Sequence, residues 1–96
     1  MRITLFGNTI KNEGDLHRVL SEQLDFGPYY GRNLAALWDR LTTDVERPVQ
    51  LIWKDADSSR AAMGEETFEK IVKLFRDVEE QDRNFGRTEA FTFNCD

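Results

Sequence analysis

Cysteine occurs once in this 96-residue chain, as Cys95, and histidine once, as His17. A single thiol excludes an intrachain disulfide and any zinc site built on paired thiolates. With one imidazole, metal ligands would have to be carboxylates, and none are spaced as in a calcium loop. No metal and no cofactor is expected. No apolar run approaches the ~20 residues of a membrane span, and Ile3–Phe6 is too short for the core of a signal peptide. Basic excess is also missing: thirteen Lys and Arg stand against eighteen Asp and Glu, a net charge of −5. That balance argues against a nucleic-acid binder and against an anionic membrane, and it favours a cationic partner. There is no glycine-rich phosphate loop and no nucleophile elbow. His17 has no nucleophile or acid cluster suggested near it by spacing, so it reads as a surface or half-buried structural residue. Cys95 reads as an inert thiol in the C-terminal tail. No catalytic residue is assigned, and a soluble, disulfide-free cytoplasmic protein is expected.

Hydrophobic residues make up 40% of the chain, enough for one core. Residues 1–96 show no repeats or linkers and read as one domain, with a radius of gyration of roughly 12–13 Å. Ile3–Phe6 is β-prone and stops at the turn signal Gly7-Asn8. Asn12 is placed to cap a helix, with Asp15 at the third helical position. Leu16, Val19, Leu20 and Leu24 share one face of it, and Gly27-Pro28 ends it. Tyr29-Tyr30-Gly31 is a loop in which Gly31 is free to take a positive φ. Asn33 caps a second helix with its stripe at Leu34, Leu37, Trp38 and Leu41.

Pro48 opens a strand through Trp53, too apolar on both faces to have one face in water. Asp55–Met63 reads as a short helix or turn, broken at Gly64. Phe68, Ile71, Val72, Phe75 and Val78 then mark a long helix from Glu65 to near Asp82. Asn84–Arg87 is a loop and Thr88–Phe93 a third strand. Strands separated by helical crossovers make a small three-stranded parallel sheet packed with helices, an α/β fold, with the first strand expected in the middle.

Two clusters carry the functional signal. Asp39 follows Trp38 on the second helix, with only small side chains, Ala35, Thr42 and Thr43, a turn away. It should stand proud, with Tyr29, Asn33 and Trp38 near enough in sequence to rim the same face; flat aromatics beside an exposed acid suit a recognition surface, and the alternative on these residues alone is a solvated helix face with Trp38 in the core. Asp77, Glu79, Glu80 and Asp82 crowd the end of the long helix, where acids oppose the helix dipole. Lys73 and Arg76 offset part of that cost; the end is either an ordinary solvated one or the face of a basic partner, which would account for the rest.

The run Tyr29-Tyr30-Gly31-Arg32-Asn33-Leu34-Ala35-Ala36-Leu37-Trp38-Asp39-Arg40-Leu41-Thr42 resembles the signature segment of the barstar family, intracellular inhibitors of the ribonuclease barnase. The likeness extends through Asp15-Leu16-His17, Pro48–Trp53 and Val72–Asp77. It implies a three-layered α/β fold. It also implies a single role, that of plugging the basic cleft of a secreted or toxin ribonuclease, as a monomeric immunity protein in a 1:1 complex. It implies partner-binding roles for Tyr29, Asn33, Trp38, Asp39, Thr42 and Glu46. Asp39 matches the family's central acid, and Asp77 an acid of the long helix shortened by one methylene. Two positions depart: Ala35 stands where the family has a second acid, and Asp44 where it has a tryptophan. Asp44 joins Glu46 and Asp77 as charge complement to the anchor Asp39. The alternative is a module of this fold that binds another basic protein, with no ribonuclease involved.

Overall fold

The computed structural model describes Met1–Asp96. Strand β1 spans Arg2–Phe6, helix α1 Glu13–Leu24, helix α2 Leu34–Asp39 and strand β2 Val49–Lys54. Helix α3 spans Ala56–Met63, helix α4 Glu65–Asn84 and strand β3 Phe91–Cys95. A 3-10 turn, Gly7–Thr9, follows β1, and a π-helical turn, Arg40–Asp44, continues α2. The radius of gyration is 12.6 Å.

Both asparagine caps form, because each needs only a backbone N–H three residues on. Asn12 Oδ1 accepts from Asp15 N–H at 2.8 Å, and Asn33 Oδ1 from Ala36 N–H at 2.8 Å. The Asp15 carboxylate reaches back to Lys11 N–H at 3.0 Å. Helix α1 ends before the expected Gly27-Pro28: Asp25 takes the left-handed conformation at its C-terminus. In the following loop it is Arg32 (φ 54°), not Gly31, that does so. Helix α4 runs two residues past Asp82, and β3 begins at Phe91, three residues later than expected, so Cys95 closes a strand rather than lying in a tail. Burial raises the pKa of its thiol, which keeps it protonated.

The sheet order is β1-β2-β3, both pairs parallel, so β2 is central and the expected middle position of β1 is corrected. The most apolar strand takes the most enclosed place, and the edges fall to strands with Arg2 and with Thr92 and Asn94. Ile3 and Leu5, then Val49, Leu51 and Trp53, then Phe91 and Phe93 lie side by side on one buried face. Helices α1, α2 and α4 bring Leu16, Leu20, Leu37, Ile71 and Phe75 to the same core. The opposite row stays open: Thr4, Gln50 and Ile52 are half-buried, and Arg2, Phe6, Lys54, Thr92 and Asn94 are exposed. The fold therefore has two layers, not three, and β2 does have one wet face. The polar residues of that row hold it in water.

Asp82 is buried, against the expectation that it belongs to an exposed acidic cluster. It receives Arg47 Nε at 2.7 Å, Arg47 Nη2 at 3.2 Å and the Phe91 N–H at 2.7 Å. Burial acts to raise its pKa, but the hydrogen bonds from Arg47 and Phe91 and the charges of Arg47 and Arg87 outweigh it. The net direction is down. A carboxyl lowered in this way stabilises the fold above its unfolded-state pKa of about 4, and that stability is lost as pH falls toward the folded-state value. In acid denaturation followed by circular dichroism, the wild type should weaken steadily below about pH 4. Asp82→Asn should start about 3 kcal/mol less stable at neutral pH, with Arg47 left without its countercharge, and show a shallower acid slope. Parallel slopes in the two proteins would place the acid-sensitive group elsewhere.

Candidate functional site

The acid-bearing helix is shaped by its own threonines. Thr42 Oγ1 donates to the Trp38 carbonyl at 2.7 Å, and Thr43 Oγ1 to the Asp39 carbonyl at 2.5 Å. Hydroxyls bonded back by four residues compete with the helical N–H groups and bend helices. Here α2 widens, and Val45 N–H closes onto Arg40 O at 3.2 Å, a five-residue step. Leu41 stays buried across the change, so the apolar stripe survives it. Thr42, its proton already given to Trp38, can only accept from a partner. Asn33 is exposed but engaged as the cap, and also donates to Gly31 O at 3.3 Å.

Asp39 is exposed, with no ion pair and no hydrogen bond to its carboxylate. Its backbone carbonyl accepts from Thr42 and Thr43. Trp38 is half-buried: one part packs on the core, and the rest lines a shallow groove of about 430 Å³ with Asp77, Glu80, Gln81, Asn84 and Phe85. The structure thus brings together Trp38 and Asp77, which lie 39 positions apart. Asp77 is held by Lys73 at 2.7 Å, and that hydrogen bond raises the pKa of Lys73. Arg76 does not share the offsetting role expected of it, and instead sits over the Phe93 ring, 5.2 Å from its centroid. Glu79, also assigned to the cluster, accepts from Phe93 N–H at 3.2 Å and so ties α4 to β3.

A second groove, of about 370 Å³, gathers Asp44 and Glu46 with Asp25, Phe26 and Arg40. Arg40 meets Asp44 at 3.5 Å and lies over the rings of Phe26 and Tyr30. The added acid at position 44 is thus partly neutralised from within its own helix. Tyr29 is 92% exposed and lines neither groove, whereas its neighbour Tyr30 is buried. Tyr30 OH lies 2.6 Å from His17 Nδ1, and His17 Nε2 lies 2.9 Å from a Glu13 carboxylate oxygen. With Nε2 protonated toward Glu13, Nδ1 accepts a hydrogen bond from the Tyr30 hydroxyl. Burial, and next the charge of Glu13, push the Tyr30 hydroxyl up to about 12. His17 is fully buried rather than at the surface, and it anchors the root of the loop that presents Tyr29.

Sequence reasoning missed Phe85. It is 67% exposed and stands beside Trp38 and Asp77 in the first groove. An aromatic in a polar post-helix turn was the available signal. Chemically, these elements present carboxylates on rigid helices next to flat apolar rings. Such a surface accepts guanidinium and ammonium groups, and it offers no activated nucleophile.

A family model described as "Barstar (barnase inhibitor)" matches residues 1–94. A similar protein of Bacillus subtilis (strain 168), named "Putative ribonuclease inhibitor YrdF", is 35% identical over 80 residues, covering 83% of this chain and 87% of the relative.

Proposed function

This chain belongs to the barstar family, and on that premise we propose that it is a non-catalytic inhibitor. It blocks a small basic ribonuclease, one to one, by seating the carboxylates of α2 and α4 in the cleft that holds RNA phosphates. A phosphate-binding cleft must carry Arg, Lys or His donors, and a carboxylate on a rigid helix can take the phosphate's place. The observation that carries the reading is Asp39: a carboxylate in water, on a capped helix, with no partner of its own. Leaving it unpaired does nothing for the fold, and it is immediately available to a cationic partner. Trp38, its neighbour in sequence, shares a groove with Phe85 and Asp77. Asp44 and Glu46 extend the acidic surface, while Tyr29, Asn33 and Thr42 supply shape and hydrogen-bonding groups.

Barnase itself is expected to be a poor target. Ala35 removes a carboxylate that would answer a basic cleft residue, leaving any such residue buried and unpaired. Asp44 replaces a broad ring with a small anion already shared with Arg40. Specificity is a difference of affinities, so two mismatches at one interface compound. Titration against a panel of small basic ribonucleases, barnase included, with RNA cleavage as the readout, tests the proposal. At least one enzyme should be inhibited stoichiometrically, and barnase weakly. The double change Ala35→Asp with Asp44→Trp should improve barnase inhibition by about tenfold or more. Tight inhibition of barnase by the unmodified chain would put positions 35 and 44 outside the interface. Inhibition of no ribonuclease at all would overturn the reading.

A further inference from the structure

Arg47 and Asp82 are the most deeply buried ion pair of the chain, with side chains 7% and 1% exposed. Neither can reach a docked partner. Besides its two bonds to Asp82, the Arg47 guanidinium donates from Nη1 to Leu41 O at 2.7 Å and to Val45 O at 2.8 Å. Those carbonyls bracket Thr42 and Asp44 in the π-helical turn. A π-turn is a rare and locally weakened piece of helix, and its last carbonyls have no intrahelical donor. Arg47 supplies that donor from the chain that leaves the turn, next to Glu46. Asp82 lies on α4, five residues beyond Asp77, and also takes the first N–H of β3. One fork of hydrogen bonds therefore joins the two helices that carry the acidic surface.

A buried ion pair is a weak source of net stability, since an apolar pair of like volume often serves as well or better; its better-attested use is to fix one geometry among several. We infer that Arg47 and Asp82 form a positioning pin. It sets the spacing of the Thr42–Glu46 segment against the Asp77 end of α4, and so the match of the two acid-bearing elements to a cationic partner. This rests on the inhibitor reading for its purpose, but its geometry stands without it. The planar guanidinium is essential, because it alone presents separate donors to a carboxylate and to two carbonyls at once.

The test uses the full chain with Cys95→Ala, spin-labelled through Glu46→Cys and Arg83→Cys, both exposed positions on either side of the pin. Pulsed electron resonance reads the distance between the labels. Arg47→Lys keeps the charge but loses the fork, and Asp82→Glu keeps the pair but lengthens it. Arg47→Lys should broaden the distance distribution, and Asp82→Glu should displace its mean. Ser59→Ala is the control: it removes equally buried hydrogen bonds to Trp53 and Gly7, at a different part of the fold, and should change neither. In unlabelled protein the two pin variants should dissociate about tenfold faster from the ribonuclease of that panel that the wild type inhibits stoichiometrically, with Ser59→Ala unchanged, since interface geometry acts mainly through the off-rate. Unchanged distances in both pin variants overturn the pin, as does an equal change in Ser59→Ala. If Arg47→Lys does not fold, Asp82→Glu decides. If the wild type binds no ribonuclease, the inhibitor reading falls and the distances alone decide the pin.

Discussion

Asp39→Ala is expected to weaken ribonuclease binding by about 2–5 kcal/mol, roughly 30- to 5,000-fold. That range describes truncated charge pairs at protein interfaces generally, barnase–barstar among them, and is not specific to this chain. The loss arises because the cation that Asp39 met is left desolvated and unpaired. In the free protein the same change should be neutral or slightly favourable. Asp39 has no side-chain partner and lies inside a helical segment that the π-turn continues, where alanine is the best helix former. Calorimetric titration with the inhibited ribonuclease, beside urea denaturation of the free protein, separates the two effects. Asp39→Asn, which keeps the shape and removes the charge, should lose most of the same affinity. A variant that binds normally but unfolds at clearly lower urea would make Asp39 a structural residue.

Gly7→Ala is expected to be the most damaging single-methyl change in the chain. A Cβ at Gly7 would lie 1.7 Å from the Asp55 carbonyl oxygen and 2.6 Å from its carbon. Both are backbone atoms, so no side chain can turn aside. Gly7 is buried where β1 runs into its 3-10 turn, and its own carbonyl accepts from Ser59 Oγ at 3.0 Å. The methyl would push the end of β1 away from the β2–α3 junction and strain that bond. Core overpacking ordinarily costs about 1–3 kcal/mol, and a rigid backbone clash belongs at or beyond the upper end. A loss of about 3 kcal/mol should lower the melting temperature of a domain this size by roughly 12 °C or more. Gly14→Ala is the contrast: inside α1 its Cβ would meet only the Asn12 side chain, at 3.2 Å. Alanine there should be nearly neutral. Similar melting temperatures for the two variants would refute the close-approach account.

The acidic cluster at the end of α4 shows how far local reading goes. From sequence, Asp77, Glu79, Glu80 and Asp82 are four carboxylates in one helical stretch, and their shared cost suggests a shared partner. In the fold, Asp82 turns inward to Arg47, Glu79 bonds β3, and Asp77 and Glu80 line the groove beside Trp38. Arg47 is 35 positions from Asp82, and no helical period or capping rule connects them. The π-turn after α2 was hidden in the same way: Thr42 and Thr43 are visible as residues, but whether their hydroxyls bond backward depends on what the carbonyls of the turn find elsewhere.

The elements and their class are legible along the chain. Caps at Asn12 and Asn33 and the stripes of α2 and α4 are interactions over three to seven residues, and they form as read; the apolar run of β2 forms its strand, but with one face open. Also legible there are the family, through the run from Tyr29 to Thr42, and the exposure of Asp39 beside small neighbours. Long-range packing set the central place of β2, the cover on one face of the sheet, and the groove that Trp38, Asp77 and Phe85 share. It also decided which acids are bonded within the fold and which have no partner in it. Those outcomes depend on which distant surfaces exclude water together, and burial is a property of the assembled chain rather than of any window within it.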